Sequence, residues 1–285
     1  MYKIRTERPL NGVTLVILDT LQRTVEAFGA AHFLIGATAR DILMTHVFGI
    51  ESQRATLDVD FAIALENWTQ FEAIKNALIR HGDFQPAVDN AHRLYFRAHE
   101  FEHAFPLDLI PFGPIEGPDN VIAWPPDMNV LMNVAGYAEA LRTAITVEVG
   151  DKIIVNVVSI PALAAMKILA WHGRGLEDDR DAQDFYFLLK NYHRAGNETR
   201  LFDSAHTVLE STGFDLDLAG ALLLGYDTNV VLEAATRDAL FHVLRDPRRR
   251  DRLLIHMDRS LASNSSVTLR YLEEFERGFS LALPH

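Results

Sequence analysis

Phe33-Leu-Ile-Gly-Ala-Thr-Ala-Arg-Asp41, followed by Thr56-Leu-Asp-Val-Asp-Phe61, is the part of the chain whose pattern decides the fold. The first segment reads as a short buried strand over residues 32–35, a turn at Gly36, and a helix over residues 38–48 that Gly49 ends. The second reads as a strand over residues 57–65, because apolar residues alternate around Asp58 and Asp60. Side chains two apart on a strand leave by the same face, so the two carboxylates converge while Val59, Phe61 and Ile63 pack on the other. Carboxylates that close repel, and a divalent cation with oxygen ligands relieves the repulsion. Taken alone, an Asp-x-Asp pair also fits a solvated strand face.

The upstream turn adds weight. Gly36 permits a close backbone approach or a positive φ, and the helix behind it turns backbone N–H groups toward a place where phosphate could sit. Downstream, Phe105-Pro-Leu-Asp-Leu-Ile-Pro111 sets Asp108 in an otherwise apolar strand, where an unpaired carboxylate is costly. Either Asp108 is hydrogen-bonded for structural reasons, or its strand lies beside that of Asp58 and three acids meet. The second case makes a two-metal centre suited to in-line phosphoryl displacement.

Working outward, helices are expected over residues 15–28 and 68–80, and strands over residues 93–98 and 106–110. A Pro/Gly-rich stretch over residues 111–126 interrupts the pattern. Residues 146–149 and 153–158 flank Gly150-Asp151 as a hairpin. Past Ser159-Ile-Pro161 the strands stop; Ser159 suits an N-cap and Pro161 the opening turn of a helix reaching Trp171. Further helices are expected near residues 181–192, 201–211, 230–244 and 268–281. The expected class is α+β: a small mixed sheet flanked by helices over residues 1–158, then an all-helical domain over residues 159–285.

Composition narrows the function. With 48% hydrophobic and 23% charged residues, the 285-residue chain reads as a soluble globular protein with a sizeable core. The lack of cysteine excludes disulfides and thiolate metal sites. Residues 1–10 have no apolar signal-peptide core and no run is long enough to span a bilayer, so a cytoplasmic address and no membrane partner are expected. A net charge of −12 means that nucleic acid would have to bind a local basic patch. Arg245, Arg248, Arg249, Arg250, Arg252 and Arg259 form the one dense cluster, which also suits a solvated helix face. His92, His99 and His103 are the densest histidines, but a strand and loop impose no zinc geometry on them.

The order Gly36-Ala37, Asp58-Val-Asp60, Asp108 resembles the nucleotidyltransferase superfamily that includes DNA polymerase beta. Its pattern is a Gly-Gly or Gly-Ser turn, an acid-x-acid strand and a third acid on a later strand. Ala37 departs from the second Gly or Ser and removes a hydroxyl contact to phosphate, while the backbone contribution of the turn stays. Within the superfamily the chain is most similar to AbiEii/AbiGii-type toxin nucleotidyltransferases of abortive-infection systems. It carries Gly36-Ala-Thr-Ala39, Thr56-Leu-Asp-Val-Asp-Phe61, then Lys167, Arg174 and Asp181-Ala-Gln-Asp184 in the expected order. Arg40-Asp41 also resembles the turn of tRNA CCA-adding enzymes, but their basic segment after the catalytic strand has no counterpart after Asp60.

The resemblance implies a nucleoside triphosphate substrate with Mg2+ or Mn2+ on Asp58, Asp60 and Asp108. It implies nucleotide contacts from Gly36, Ala37, Thr38, Arg40, Thr56 and Arg174. Lys167 would approach the triphosphate and Asp184 would orient its neighbours, the helical domain adding both to the cleft. Plain structural roles compete: a snorkelling Lys167, and Asp181 and Asp184 in an acidic first turn beside Glu177, Asp178 and Asp179. The acceptor is left open among a tRNA 3′ end, a protein side chain and a small molecule such as an antibiotic, and an antitoxin-like protein is an implied partner. The alternatives are a non-catalytic nucleotide-sensing or partner-binding module on the same fold, and a scaffold whose acids are incidental.

Overall fold

A computed structural model describes residues 1–285 except 53–55, 57, 98–102, 151, 175–177, 259–264 and 282–285. Two compact units, Met1–Val158 and Ser159–His285, divide the chain.

The first unit holds strands β1 (Tyr2–Lys3), β2 (His32–Ile35), β3 (Val59–Ala64), β4 (Phe84–Pro86), β5 (Arg93–Phe96), β6 (Phe105–Phe112), β7 (Val121–Trp124), β8 (Val130–Asn133), β9 (Ile145–Gly150) and β10 (Ile153–Val157). Eight of them form one mixed sheet in the order β1-β9-β10-β2-β3-β6-β5-β4, and β7 and β8 pair separately. The centre is apolar: Phe33, Leu34, Phe61, Ile63, Leu107 and Leu109 are fully or almost fully buried. Helix α1 (Gly12–Ala27) buries Ile17, Leu18, Leu21 and Val25, and Asn11 caps it by accepting the Thr14 amide at 2.7 Å. Helix α2 (Gly36–Asp41) continues into a π-helical stretch, Ile42–Val47. Asn67 caps α3 (Trp68–His81), which ends at Gly82 with φ 101°, a left-handed conformation that favours glycine. A short α4 (Tyr137–Arg142) precedes the β9–β10 hairpin.

Several expected elements shift. The strand expected over residues 57–65 is Val59–Ala64, and Leu57 lies outside the described residues. The strand expected over residues 93–98 ends at Phe96, with Ala98 outside the described residues, as is Asp151 of the hairpin turn. The Pro/Gly-rich stretch conceals β7, whose four residues are stabilised by pairing with β8 rather than by their own pattern.

The second unit is helical: α5 (Ile160–Arg174), α6 (Arg180–Asn191), α7 (Glu198–Phe202), α8 (His206–Ser211), α9 (Leu216–Val231), α10 (Ala234–Arg245), α11 (Pro247–Asp258) and α12 (Ser265–Ser280). The helix expected over residues 201–211 is split into α7 and α8, because Asp203 leaves helical geometry at ψ −95°. The sequence pattern overlooks α9 altogether. Leu218 through Gly225 are buried one after another, so no polar face exists to reveal a helical period. Glycines let α12 lie directly on α9. A Cβ at Gly225 would come 2.1 Å from the Phe275 carbonyl oxygen, and one at Gly278 would come 1.9 Å from that of Leu222.

Charges are also buried here. Lys167 on α5 meets Asp181 at 2.9 Å and Asp184 at 2.7 Å, both on α6, and Arg174 reaches Asp181 at 2.7 Å. Lys167, Asp181 and Asp184 are 8%, 6% and 4% exposed. Burial opposes the Lys167 charge, but the two aspartates outweigh it and raise its pKa above 10.5. Burial likewise opposes ionised Asp181, yet Lys167 and Arg174 carry its pKa below 3.8. One buried cation faces two buried anions, and Arg174, whose side chain is 65% exposed, supplies the second positive charge from the solvent side. Among the described residues no helix is long and apolar enough to cross a membrane.

Gly225→Ala and Gly278→Ala should each lower stability by about 1–3 kcal/mol through overpacking. Gly173→Ala, in α5 with nothing within 4 Å of the added carbon, should raise it by about 0.5–1 kcal/mol. Urea midpoints read all three. The buried ion pairs set a pH dependence as well. The Asp181 contribution is present above pH 3.8 and lost as pH falls through its lowered folded pKa; that of Lys167 is present below pH 10.5 and lost as pH rises through its raised one. Lys167→Met should cost about 3–5 kcal/mol at pH 7, and its acid limb should be shallower than that of the unaltered chain in melts from pH 2 to 8.

Candidate active site

The turn after β2 and the start of β3 are built against each other. Ile35 pairs with Asp60 across the antiparallel β2–β3 ladder, which brings Gly36 onto the Asp60 side chain. Gly36 has φ +70°, and a Cβ there would fall 2.0 Å from Asp60 Oδ2. Glycine is required twice over, by its backbone conformation and by the carboxylate behind it. Thr38 donates its hydroxyl to the Asp58 carbonyl at 2.5 Å, and the Asp58 amide donates to the Thr56 hydroxyl at 3.2 Å. The Gly36–Asp60 packing and the Thr38–Asp58 hydrogen bond therefore tie the glycine turn to the entrance of the acidic strand, and Thr56 braces Asp58 from within its own segment.

Asp108 stands beside them. β3 and β6 run parallel with Asp60 opposite Asp108, and β5 runs antiparallel to β6 with Arg93 opposite Asp108. Register partners share a face, so Arg93, Asp108 and Asp60 form one row across three strands. Arg93 grips Asp108 with a two-pronged fork, Nε to Oδ1 and Nη2 to Oδ2, both 2.7 Å. Asp108 thereby gains the partner that its apolar strand demands; its side chain is 13% exposed. Asp108 is also the main reason why the Arg93 pKa is raised, against burial, with Asp58 and Tyr95 adding to it. His92 precedes Arg93, and its ring lies 5.0 Å from that of Trp124. Burial, with Arg93 and Lys75, lowers its pKa against the pull of Asp108, so it is neutral near pH 7.

Asp60 and Asp108 thus meet as the sequence implies, with Asp58 two residues upstream of Asp60 at the entrance to β3. Three carboxylates are the oxygen-donor set that a hard divalent cation takes, so the residues fit Mg2+ or Mn2+ by chemistry. Among the described residues no three acidic or histidine side chains are drawn together tightly enough to hold an ion, and both Asp108 oxygens face Arg93.

Other expected contacts read differently. Arg40 is 2% exposed and pairs with Asp41 at 2.7 Å, which withdraws it from a role at the surface of the turn. Thr38 is 6% exposed with its hydroxyl proton already committed to Asp58. Thr56 likewise serves the backbone of Asp58. Gly36 and Ala37 are partly exposed, and no side chain caps the start of α2. Lys167, Arg174, Asp181 and Asp184 make the ion-paired group of the helical unit. In the arginine cluster, Arg250 pairs with Glu276, Arg252 lies over Trp171 and Arg245 over Phe241, so packing absorbs much of it; Arg259 is outside the described residues. His99 is also outside them. Sequence reading missed Arg93. Its signal, an arginine at the start of a mostly apolar strand, acquires meaning only once the register sets it opposite Asp108.

No curated protein matches the chain. Among solved structures, a nucleotidyltransferase-like antigenic protein from Paracoccidioides brasiliensis is similar over 73% of this chain and 93% of its own, at 15% identity and a TM-score of 0.41. The antibiotic-resistance factor ANT(2'')-Ia is similar over 71% of this chain and 98% of its own, at 13% identity and a TM-score of 0.36. The Thermotoga maritima CCA-adding enzyme, solved with tRNA, is similar over 96% of this chain and 81% of its own, at 11% identity and a TM-score of 0.26. The family described as nucleotidyl transferase AbiEii toxin, type IV TA system, matches residues 19–263, most of both units. With that match the chain belongs to the AbiEii toxin family and is a nucleotidyltransferase.

Proposed function

We propose that this nucleotidyltransferase binds a nucleoside triphosphate and moves its nucleoside monophosphate to an acceptor hydroxyl, releasing pyrophosphate. The observation that carries this reading is the register of Asp60 with Asp108 beneath the Gly36 turn. The α-phosphorus–oxygen bond to pyrophosphate breaks as the acceptor oxygen bonds to the same phosphorus, and the acceptor proton leaves to a base or water. A divalent cation held by Asp58, Asp60 and Asp108 would supply charge neutralisation at the phosphates and acidify the acceptor hydroxyl. The residues of the chain bind and position. Gly36 keeps the turn close to Asp60 without a side chain, and the partly exposed backbone of Gly36 and Ala37 offers amide donors to phosphate oxygens. Thr38 and Thr56 fix the backbone that carries Asp58.

The acceptor is proposed to be RNA, protein or a small molecule. The type IV toxin–antitoxin description of the family supports reading the chain as a toxin with an antitoxin partner, acting in the cytoplasm where nucleotide and Mg2+ are at hand. A second reading, a nucleotide-sensing module without turnover, draws on the Arg93 fork, since a permanently engaged Asp108 would hold no cation.

Labelled ATP, GTP, CTP and UTP, each offered with Mg2+ and total cellular RNA or protein, separate these readings. Transfer of label from at least one nucleotide is expected. Asp60→Asn and Asp108→Asn should each reduce it by more than the roughly 10–100-fold seen when only an outer-shell partner of a metal ligand is lost. Nucleotide binding in calorimetry without any transfer would instead favour the sensing module. Gly36→Ala should abolish nucleotide binding while the fold persists by circular dichroism, because the new carbon collides with Asp60.

A further inference from the structure

Arg93 has no part in the reaction described above, although it is ion-paired to one of its acids. Three facts define its position. It lies opposite Asp108 in the β5–β6 register, and Asp108 in turn lies opposite Asp60. Its fork occupies both Asp108 oxygens at 2.7 Å. The negative charge of Asp58 adds to that of Asp108 in raising the Arg93 pKa. Lysine could not replace it here, because an ammonium is a single point of charge and cannot span both oxygens.

Three carboxylates gathered without a cation would carry three negative charges in a partly buried place. Arg93 removes one of them, and His92, neutral near pH 7, neither adds nor removes charge. The fork engages both oxygens of Asp108 from the β5 side. In keeping with this, no group of three acidic or histidine side chains among the described residues is drawn together to hold an ion. A divalent cation arriving at Asp60 and Asp108 would meet both an occupied carboxylate and a fixed positive charge.

We infer that Arg93 is a resident counter-cation that competes with the divalent metal for Asp108, so that metal loading requires the fork to open and Arg93 sets how tightly the metal is held. The inference rests on the assignment of Asp58, Asp60 and Asp108 as metal-holding residues. Arg93 is then a positioning residue that acts through Asp108. With the metal absent it keeps the row from repelling itself apart.

Mn2+ binding, read by calorimetry and by the rise in melting temperature with added Mn2+, tests this without any turnover. Arg93→Gln is expected to bind Mn2+ about tenfold or more tightly than the unaltered chain, and Arg93→Lys, which keeps a charge but cannot form the fork, should fall between them. Arg93→Gln should also melt lower without metal and recover more of its stability when Mn2+ is added. The Arg93→Lys variant keeps the test open if the glutamine variant folds poorly. Equal or weaker Mn2+ binding in both variants would overturn the competition, showing that Arg93 orients Asp108 or only supports the sheet. Were Mn2+ bound neither by the unaltered chain nor by either variant, the metal site itself would fall, and the function proposed above with it. Binding lost in Asp60→Asn but unchanged in both Arg93 variants would leave that function standing and remove the role of Arg93 alone.

Discussion

Parallel pairing of β3 with β6 puts Asp60 and Asp108 at the same level of the sheet, one strand spacing apart. At about 5 Å in an effective dielectric near 20, two such charges repel by roughly 3 kcal/mol, a large fraction of the stability of an ordinary domain. A fold that keeps them adjacent has to answer the repulsion, and the surroundings do so in particular ways. Arg93 comes in from β5 on one flank. On the other flank Gly36 leaves the space that any Cβ would take from the Asp60 carboxylate. The apolar residues between the acids, Val59, Phe61, Leu107 and Leu109, are buried to 1% exposure or less and hold the two strands in register. Slipping that register by one residue would turn the acids into the core, so packing and acid placement are enforced by the same side chains.

The second unit follows another physical logic. Glycines bring α9 and α12 into direct contact, and the polar interior holds Lys167 with Asp181 and Asp184, while Arg174 reaches Asp181 from the exposed side. Burying ions in this way adds little net stability, but removing one partner leaves a charge in the interior and is severe. The network therefore fixes how α5 and α6 pair more than it strengthens the unit.

How much of this could be read from the chain varies with the length scale of the cause. Gly36, Asp58 and Asp60 were legible because a turn glycine and a two-residue period are local. Asp108 was legible because a lone carboxylate in Phe105-Pro-Leu-Asp-Leu-Ile-Pro111 demands a partner, although the sequence could not say that the partner is Arg93. That pairing depends on β5 lying beside β6 in a fixed register, which no local pattern encodes. The same limit hid β1 and β7, whose few residues become strands through partners elsewhere in the chain. Helix α9 escaped for the opposite reason: enclosure on all sides erased the polar stripe that makes a helix visible. Arg40 looked like a phosphate ligand because of its place after the glycine turn. Helix geometry turns it inward, where Asp41 takes its charge.

A crystal structure of the chain grown with Mn2+ and a non-hydrolysable nucleoside triphosphate, with diffraction recorded at the manganese absorption edge, addresses the arrangement of acids most directly. An anomalous peak is expected in contact with Asp60 and Asp108, on the face of the sheet that they share, with the triphosphate near the Gly36 turn. A peak bound elsewhere, or a bound nucleotide with no manganese at these two aspartates, would contradict it.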